Sequence, residues 1–437
     1  MPLPIAVLLF AWSLGGTTPR ADCTLATTEP GLTLRCKKDA KGTFATATDR
    51  AAAEQYRMQR VTVSGELQTE DVEGGASFWL RVDADKKMLL LDNGSGDMLT
   101  GDSGWTRRSI TLPVPADATS LVYGVLLRGG GNVEVRNFKL ESSPIDIDKP
   151  LAAPARKELD AAFSIVRKNA LRAADVDWTT VEPQVRVVAA GAETAEDVYP
   201  AIRYLLGALG DNHSFLMPAA QMRSGEAPKN RPIEVRLHEP GIGYVDVPGY
   251  SGGERAAMNT HVRNTHQAIA RTASGAQCGW IIDLRHNGGG NMWPMLAALR
   301  PFLGDAPLGS FSGPTTKAPH WYANAVVKLS PPRSLRSLAK AKVAVLTAPR
   351  TASSGEAVTV AFRGRPSTRS FGEPTRGLST ANAGFPLPDG ATIQLTTAIY
   401  VDRTGTRYGD KIEPDEQAED ALAAATTWLK TGCNAQR

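Results

Sequence analysis

Nowhere after its first residues does this 437-residue chain hold the roughly 20 consecutive apolar residues that a bilayer-spanning helix needs, so no transmembrane segment is expected. Aromatic residues are scarce at 6%, and they do not alternate with basic ones in the way that stacks bases. Lys and Arg (49) barely exceed Asp and Glu (45) and form no long run. A nucleic-acid partner is therefore not expected, although the net charge is +4. Histidines number six and cysteines four, with no CxxC pair, which removes the usual zinc and redox signatures. His261 and His266 lie five apart on a helical segment, whereas spacings of three or four share a face. No metal and no cofactor are expected.

The N-terminus reads Met1-Pro-Leu-Pro-Ile-Ala-Val-Leu-Leu-Phe-Ala-Trp-Ser-Leu-Gly-Gly, apolar and then small. That layout is a secretory signal peptide over residues 1–21, cleaved near Ala21, though no Lys or Arg precedes the apolar stretch. A misassigned start or a buried N-terminal helix is the alternative. Asp22 stands before Cys23 where lipid attachment needs a small residue, so a lipoprotein is not expected. Four cysteines suit disulfides in an exported, periplasmic or extracellular protein. Cys23 with Cys36 would form a local clip and Cys278 with Cys433 would tie down the C-terminus, but spacing alone does not fix connectivity.

The length predicts a multidomain chain. Residues 22–142 alternate in short strand-like segments separated by Gly, Asn and Asp, the pattern of an all-β sandwich. Gly129-Gly-Gly reads as a hairpin turn. Residues 150–235 change to helical periodicity, with Leu159, Phe163, Ile165 and Val166 on one face and Tyr199, Ile202, Leu205, Leu206 and Leu209 on another. This predicts a small helical bundle that ends at Gly210. Residues 236–437 alternate near-continuous apolar strands with helices, which predicts an α/β core with a sheet covered on both faces.

Three segments carry the chemistry. Thr351-Ala-Ser353-Ser354-Gly-Glu follows an apolar strand and opens a helix. A serine there meets free N–H groups and the positive end of the helix dipole; a plain N-cap is the everyday alternative. Asp283-Leu-Arg285-His-Asn-Gly288-Gly289-Gly290 ends another apolar strand, and successive glycines let backbone N–H groups face a ligand. Asp283 and Arg285 pair to hold that loop. Gly210-Asp-Asn212-His213-Ser214 supplies a base, since neutral imidazole can take a serine proton and return it.

In their order, these segments resemble the tail-specific, C-terminal-processing serine peptidases and the related tricorn core. Ile281-Ile-Asp-Leu-Arg-His-Asn-Gly-Gly-Gly is similar to the family's glycine loop. Thr351-Ala-Ser-Ser-Gly-Glu is similar to its nucleophile turn, Gly372-Glu-Pro-Thr-Arg-Gly follows as in the family, and Gly409-Asp-Lys-Ile-Glu413-Pro-Asp looks like its late Glu-Pro-Asp element. The resemblance spans about half the chain. It implies a ClpP/crotonase-like core acting on a peptide or protein substrate. It also implies Ser353 as nucleophile, with Ser354 as the alternative, His213 as general base and Glu413 as the third member. Gly289 and the Ser354 N–H would form the oxyanion hole, and Asn212 or Ser214 would orient the ring. Processing peptidases carry a general-base Lys where Leu378 stands here, so a Ser–Lys dyad is not expected and the tricorn-like branch fits better. Too few residues separate Ser214 from Tyr244 for a PDZ module. The N-terminal strands look like a galactose-binding-type jelly roll, which implies a possible carbohydrate partner. A non-peptide esterase or amidase, and a binding protein that has lost catalysis, remain alternatives.

Overall fold

The computed structural model describes residues 10–28, 31–38, 43–85, 87–223, 230–314 and 320–433. The chain forms two compact units: residues 1–164 with 175–210 and 387–391, and residues 165–174 with 211–386 and 392–437. No helix among the described residues is long and apolar enough to cross a membrane.

Among the described residues the first unit is built on nine strands: β1 (Ser13–Gly16), β2 (Cys23–Thr28), β3 (Gly31–Cys36), β4 (Phe44–Ala52), β5 (Gln59–Ala84), β6 (Lys87–Asp92), β7 (Leu99–Pro113), β8 (Ser120–Arg128) and β9 (Gly131–Pro144). The 26-residue β5 makes the sandwich. Its first half lies between β7 and β9, and its second half between β6 and β8. The change of layer falls where the register slips, at Asp71 (φ 55°) and Gly75 (φ 118°). Here the short strand-like segments of the alternating pattern are thus one bent strand. Gly129 and Gly130 do not make a hairpin either, because β5 lies between β8 and β9. Alternate residues Ala45, Ala47, Phe78, Leu80, Val125 and Leu127 are fully buried, as expected for strands with one face on a core.

The first nine residues of the expected leader lie outside the described residues. The next ones are placed in the sheet, with Ser13 opposite Thr48 in the β1–β4 pair. Cys23 is bonded to Cys36 across the β2–β3 ladder.

Three helices follow: α1 (Ala153–Asn169), α2 (Trp178–Ala189) and α3 (Tyr199–Ala208). They do not make a separate bundle. Helix α2 packs on α3, α3 packs on β6, and α1 is divided between the two units after Ser164. Helix α3 is covered by a sheet strand as well as by α2, so these helices have no core of their own. The His213 segment belongs to the second unit.

That unit continues with β10 (Phe215–Met217), α4 (Ala219–Arg223), β11 (Glu234–Glu239), β12 (Ile242–Asp246), α5 (Arg255–Thr272), β13 (Gly279–Asp283), α6 (Met292–Ala298), α7 (Arg300–Leu303), β14 (Gly309–Ser312), β15 (His320–Trp321), β16 (Val343–Thr347), α8 (Ser354–Phe362), β17 (Thr368–Gly372), β18 (Thr380–Pro386), β19 (Thr392–Asp402), β20 (Glu416–Gln417) and α9 (Ala421–Lys430). A six-stranded sheet runs β11-β12-β13-β16-β17-β20, parallel from β12 onward. Its central strands Gly279–Asp283 and Val343–Thr347 are buried at every position. Trp280, Ile282, Val343 and Val345 face the layer of α5, α6 and α8, while Ile281, Ala344 and Leu346 face α9. Both faces are covered, which explains the unbroken apolar runs. Cys278, just before β13, is bonded to Cys433 after α9. A second sheet, β10-β19-β14-β15 with β18 on β19, stands beside the carboxyl ends of β13 and β16. In open α/β sheets that end is where ligands bind.

Candidate active site

The buried strand β16 ends at Thr347, and its continuation is pinned before it turns. Thr351 Oγ1 donates to the Leu284 carbonyl (2.9 Å), and the Ala352 N–H to the Asn287 carbonyl (3.0 Å). The next residue, Ser353, takes φ 52° and ψ −117° at the N-cap of α8. For a residue with a Cβ this is a sparsely populated conformation that costs about 1–3 kcal/mol and persists only where neighbours enforce it. The enforcing group is Glu356. Its fully buried carboxylate accepts from the Ser353 N–H (2.7 Å), Thr375 Oγ1 (2.6 Å), the Gly377 N–H (3.0 Å) and the Leu378 N–H (2.9 Å). Burial raises this carboxyl above its ordinary value, and the four donors pull the other way. With the Ser353 N–H turned inward, its side chain is presented to a cavity of about 850 Å³.

His213 arrives from the polar break after α3. Asp211 builds that loop: its Oδ1 accepts from the N–H groups of His213 (3.0 Å) and Ser214 (2.8 Å), and its Oδ2 from Ser214 Oγ (2.6 Å). Asn212 takes the left-handed conformation (φ 53°), which asparagine tolerates well. Asn382 Nδ2 holds the His213 carbonyl at 2.7 Å. The ring then spans two hydroxyls, Nε2 at 2.9 Å from Ser353 Oγ and Nδ1 at 2.6 Å from Thr380 Oγ1. For Nε2 to accept the serine proton, Nδ1 must carry the ring hydrogen and donate it to Thr380. Burial holds the imidazole below its ordinary value, opposed by the Asp211 charge, so the neutral base prevails at neutral pH.

Glu413 does not serve as the third member. It is exposed, its carboxylate accepts from Gln417 Nε2 (3.0 Å), and Nδ1 of the ring is taken by Thr380. The Glu-Pro-Asp element is a clamp: Asp415 accepts from Ser370 N–H and Oγ (2.8 Å each) and pairs with Arg363 (2.6 Å). Gly289 also departs from its expected role, because its N–H donates to Asn287 Oδ1 (3.0 Å). What Gly289 contributes is space: a Cβ there would stand 2.8 Å from Ser353 Cβ, and its φ is +104°. Among the described residues, the N–H groups of Ser354, Gly288 and Gly290 have no protein acceptor, and all three residues line the cavity. Ser354 Oγ donates to the Gly290 carbonyl (2.5 Å), which joins the two turns and leaves Ser353 as the serine facing His213.

Neither Asn212 nor Ser214 orients the ring through a side-chain bond; Ser214 Oγ instead accepts from the Thr396 N–H (3.0 Å). Asp283 and Arg285 do pair (2.7 Å), with Tyr244 OH on the same carboxylate (2.5 Å). Although burial works against it, these bonds hold the Asp283 carboxyl below its ordinary value. Sequence reasoning missed Thr380, Asp211 and Asn287. Asp211 alone carried a local signal, an Asp two residues before a loop His.

Residues 241–418 match the model of peptidase family S41. The chain carries an S41 domain, of serine-peptidase type. The nisin-resistance protein of Lactococcus lactis subsp. lactis is 25% identical over 264 residues, 58% of this chain and 80% of that protein. An uncharacterized HTH-type transcriptional regulator of Bacillus subtilis, YbfP, is 37% identical over 93 residues, 21% of this chain and 32% of its own length. A lipoprotein structure from Streptococcus agalactiae superposes with a TM-score of 0.57 at 24% identity, over 64% of this chain and 97% of that one. At that identity the likeness concerns the fold. The family match begins at Gly241, so His213, Asp211 and the whole β-sandwich lie outside the matched S41 segment.

Proposed function

We propose that this S41 domain hydrolyses peptide bonds through an acyl-enzyme on Ser353, with His213 as base and then acid, and that the protein works outside the cytoplasm. The observation that carries the reading is the 2.9 Å contact between His213 Nε2 and Ser353 Oγ. As Oγ attacks the scissile carbonyl carbon, Nε2 takes its proton. The carbonyl oxygen becomes an oxyanion facing the Ser354 N–H and a glycine-loop N–H from Gly288 or Gly290; losing one such donor costs about 2.7–4 kcal/mol of barrier. Collapse breaks the C–N bond, and His213 protonates the departing amine. Water then attacks the ester, His213 takes its proton, and Ser353 leaves with that proton restored. Thr380 accepts the Nδ1 hydrogen throughout, so each time Nε2 gives up its proton the ring returns to the accepting tautomer. The two disulfides support a location in an oxidising compartment.

One observation favours a silent binding protein instead: Leu378 occupies the place of the processing peptidases' lysine and lines the cavity. A fluorophosphonate probe separates the readings. Labelling at Ser353 that is lost in His213→Ala supports the hydrolase. A folded protein that takes no label overturns it.

A further inference from the structure

Leu378 carries no group that can move a proton, yet it stands half-buried in the wall of the cavity that holds Ser353 and His213. Its place is fixed from two sides. The Leu378 N–H is bonded to the same Glu356 carboxylate that takes the Ser353 N–H, so the two residues hang from one group. Two residues on, Thr380 Oγ1 meets the His213 ring at 2.6 Å, while the buried Ser379 between them gives its hydroxyl to the Asp410 carbonyl. Side chains here alternate, so Leu378 and Thr380 share a side, and it is the side of the base. The surroundings there are apolar. Phe215 and Met217 of β10 follow His213 at two and four residues and line the same cavity, with Phe215 48% exposed. The charged neighbours of this stretch, Asp410 and Lys411, lie against Gly377 and not in the cavity lining. Among the described residues that lining holds no Asp, Glu, Lys or Arg.

In acyl transfer the base hands its proton to the departing amine, so the residue that begins with that amine lies on His213's side of Ser353. We propose, resting on the serine-hydrolase reading, that Leu378 and Phe215 form the subsite for the residue that follows the scissile bond, and that this subsite selects peptides with a large apolar side chain there. Such a side chain covers Phe215 and Leu378 and removes apolar surface from water. A carboxylate or an ammonium in the same place would lose its water and find no partner. Leu378 thus decides which peptides are cut, and takes no part in deprotonating the serine. Because Glu356 grips residue 378 by its backbone, a substitution there changes the character of the subsite and spares the turn.

The test is digestion of a mixture of unstructured synthetic peptides, in which every residue type follows every other, by the full chain. Mass spectrometry reads the new N-termini, and fluorophosphonate labelling of Ser353 is run beside it. New N-termini should be mostly Leu, Ile, Met or Phe, and kcat/KM for a peptide with Leu after the cut should exceed that of its Asp counterpart roughly tenfold or more. The readout is this ratio, so a general loss of activity in a variant cancels. Leu378→Arg, whose guanidinium stays charged and cannot act as a base, should shift the ratio towards Asp by roughly tenfold or more, the scale of one charged hydrogen bond. Leu378→Glu should do the same for Lys. Phe215→Ala, at a half-exposed position, should narrow the preference for Leu over Gly. A wild type that labels at Ser353 but shows no apolar preference after the cut, or cuts no peptide, overturns the subsite and leaves the reactive serine standing; so do labelled variants that keep the wild-type order. A folded protein that takes no label overturns the hydrolase reading, and the subsite with it.

Discussion

Replacing Thr380 by Val removes one hydroxyl from a buried position while keeping the side chain's shape. The structure fixes what is lost. Thr380 Oγ1 lies 2.6 Å from His213 Nδ1, and the residue is only 7% exposed, so water cannot readily substitute. A buried donor left without an acceptor costs about 1–3 kcal/mol. The ring can escape that penalty by moving its hydrogen to Nε2, but then it donates to Ser353 and can no longer take the serine proton. Either route raises the barrier, and at 1.36 kcal/mol per decade the loss is roughly 5- to 150-fold in rate. The assay needs no natural substrate: it is the second-order rate of fluorophosphonate labelling at Ser353. Thr380→Ser, which keeps the acceptor, should stay within about threefold of the wild type, and the thermal midpoint of Thr380→Val should drop by a few degrees at most. A folded Thr380→Val that labels at the wild-type rate would refute the argument that this hydroxyl sets the tautomer.

Other outcomes follow from the same geometry. Because burial holds the free His213 below its ordinary value of 6.5, the neutral, competent form persists into mild acid. The labelling rate should therefore be flat near pH 7 and fall with acid, with its midpoint under 6.5; a midpoint above 7 would contradict the burial. Glu413→Gln should label within about twofold of the wild type, since that carboxylate does not touch the ring, and a loss greater than tenfold would reinstate it. Gly289→Ala should nearly abolish labelling, because the new Cβ would lie 2.8 Å from Ser353 Cβ on a backbone with φ +104°. Reduction should destabilise the second unit more than the first, by about 5 against about 3 kcal/mol, since the bridges close separations of 155 and 13 residues. Calorimetry with and without reductant measures the difference.

The sequence made the α/β unit easy to read where strands are buried on both faces. Gly279–Asp283 and Val343–Thr347 are unbroken apolar runs between turn signals, and helix α8 opens at the Ser-Ser-Gly-Glu that announced it. Ser353 and His213, 140 residues apart, could be paired beforehand only through the order of motifs, and the structure brings them within hydrogen-bond reach. Thr380 was not legible. A threonine at the start of a strand looks like any β-branched residue, and only the packing of β18 beside the His213 loop makes it an acceptor. Glu413 misled because a motif carries residue types but not the direction in which a side chain points. In the sandwich, Gly and Asp between strand-like segments read as breaks between strands, but Asp71 and Gly75 lie within one. They mark a bend, because a left-handed residue can redirect a strand without ending it.

One carboxylate, Glu356, fastens the nucleophile turn to the stretch that runs to Thr380, and it grips residue 378 only through the backbone N–H. That grip is blind to whatever side chain position 378 bears. A side chain of another kind at 378 would leave the turn that holds the serine unchanged. The turn that carries Ser353 is thus part of the frame, held independently of the side chain that borders it at 378.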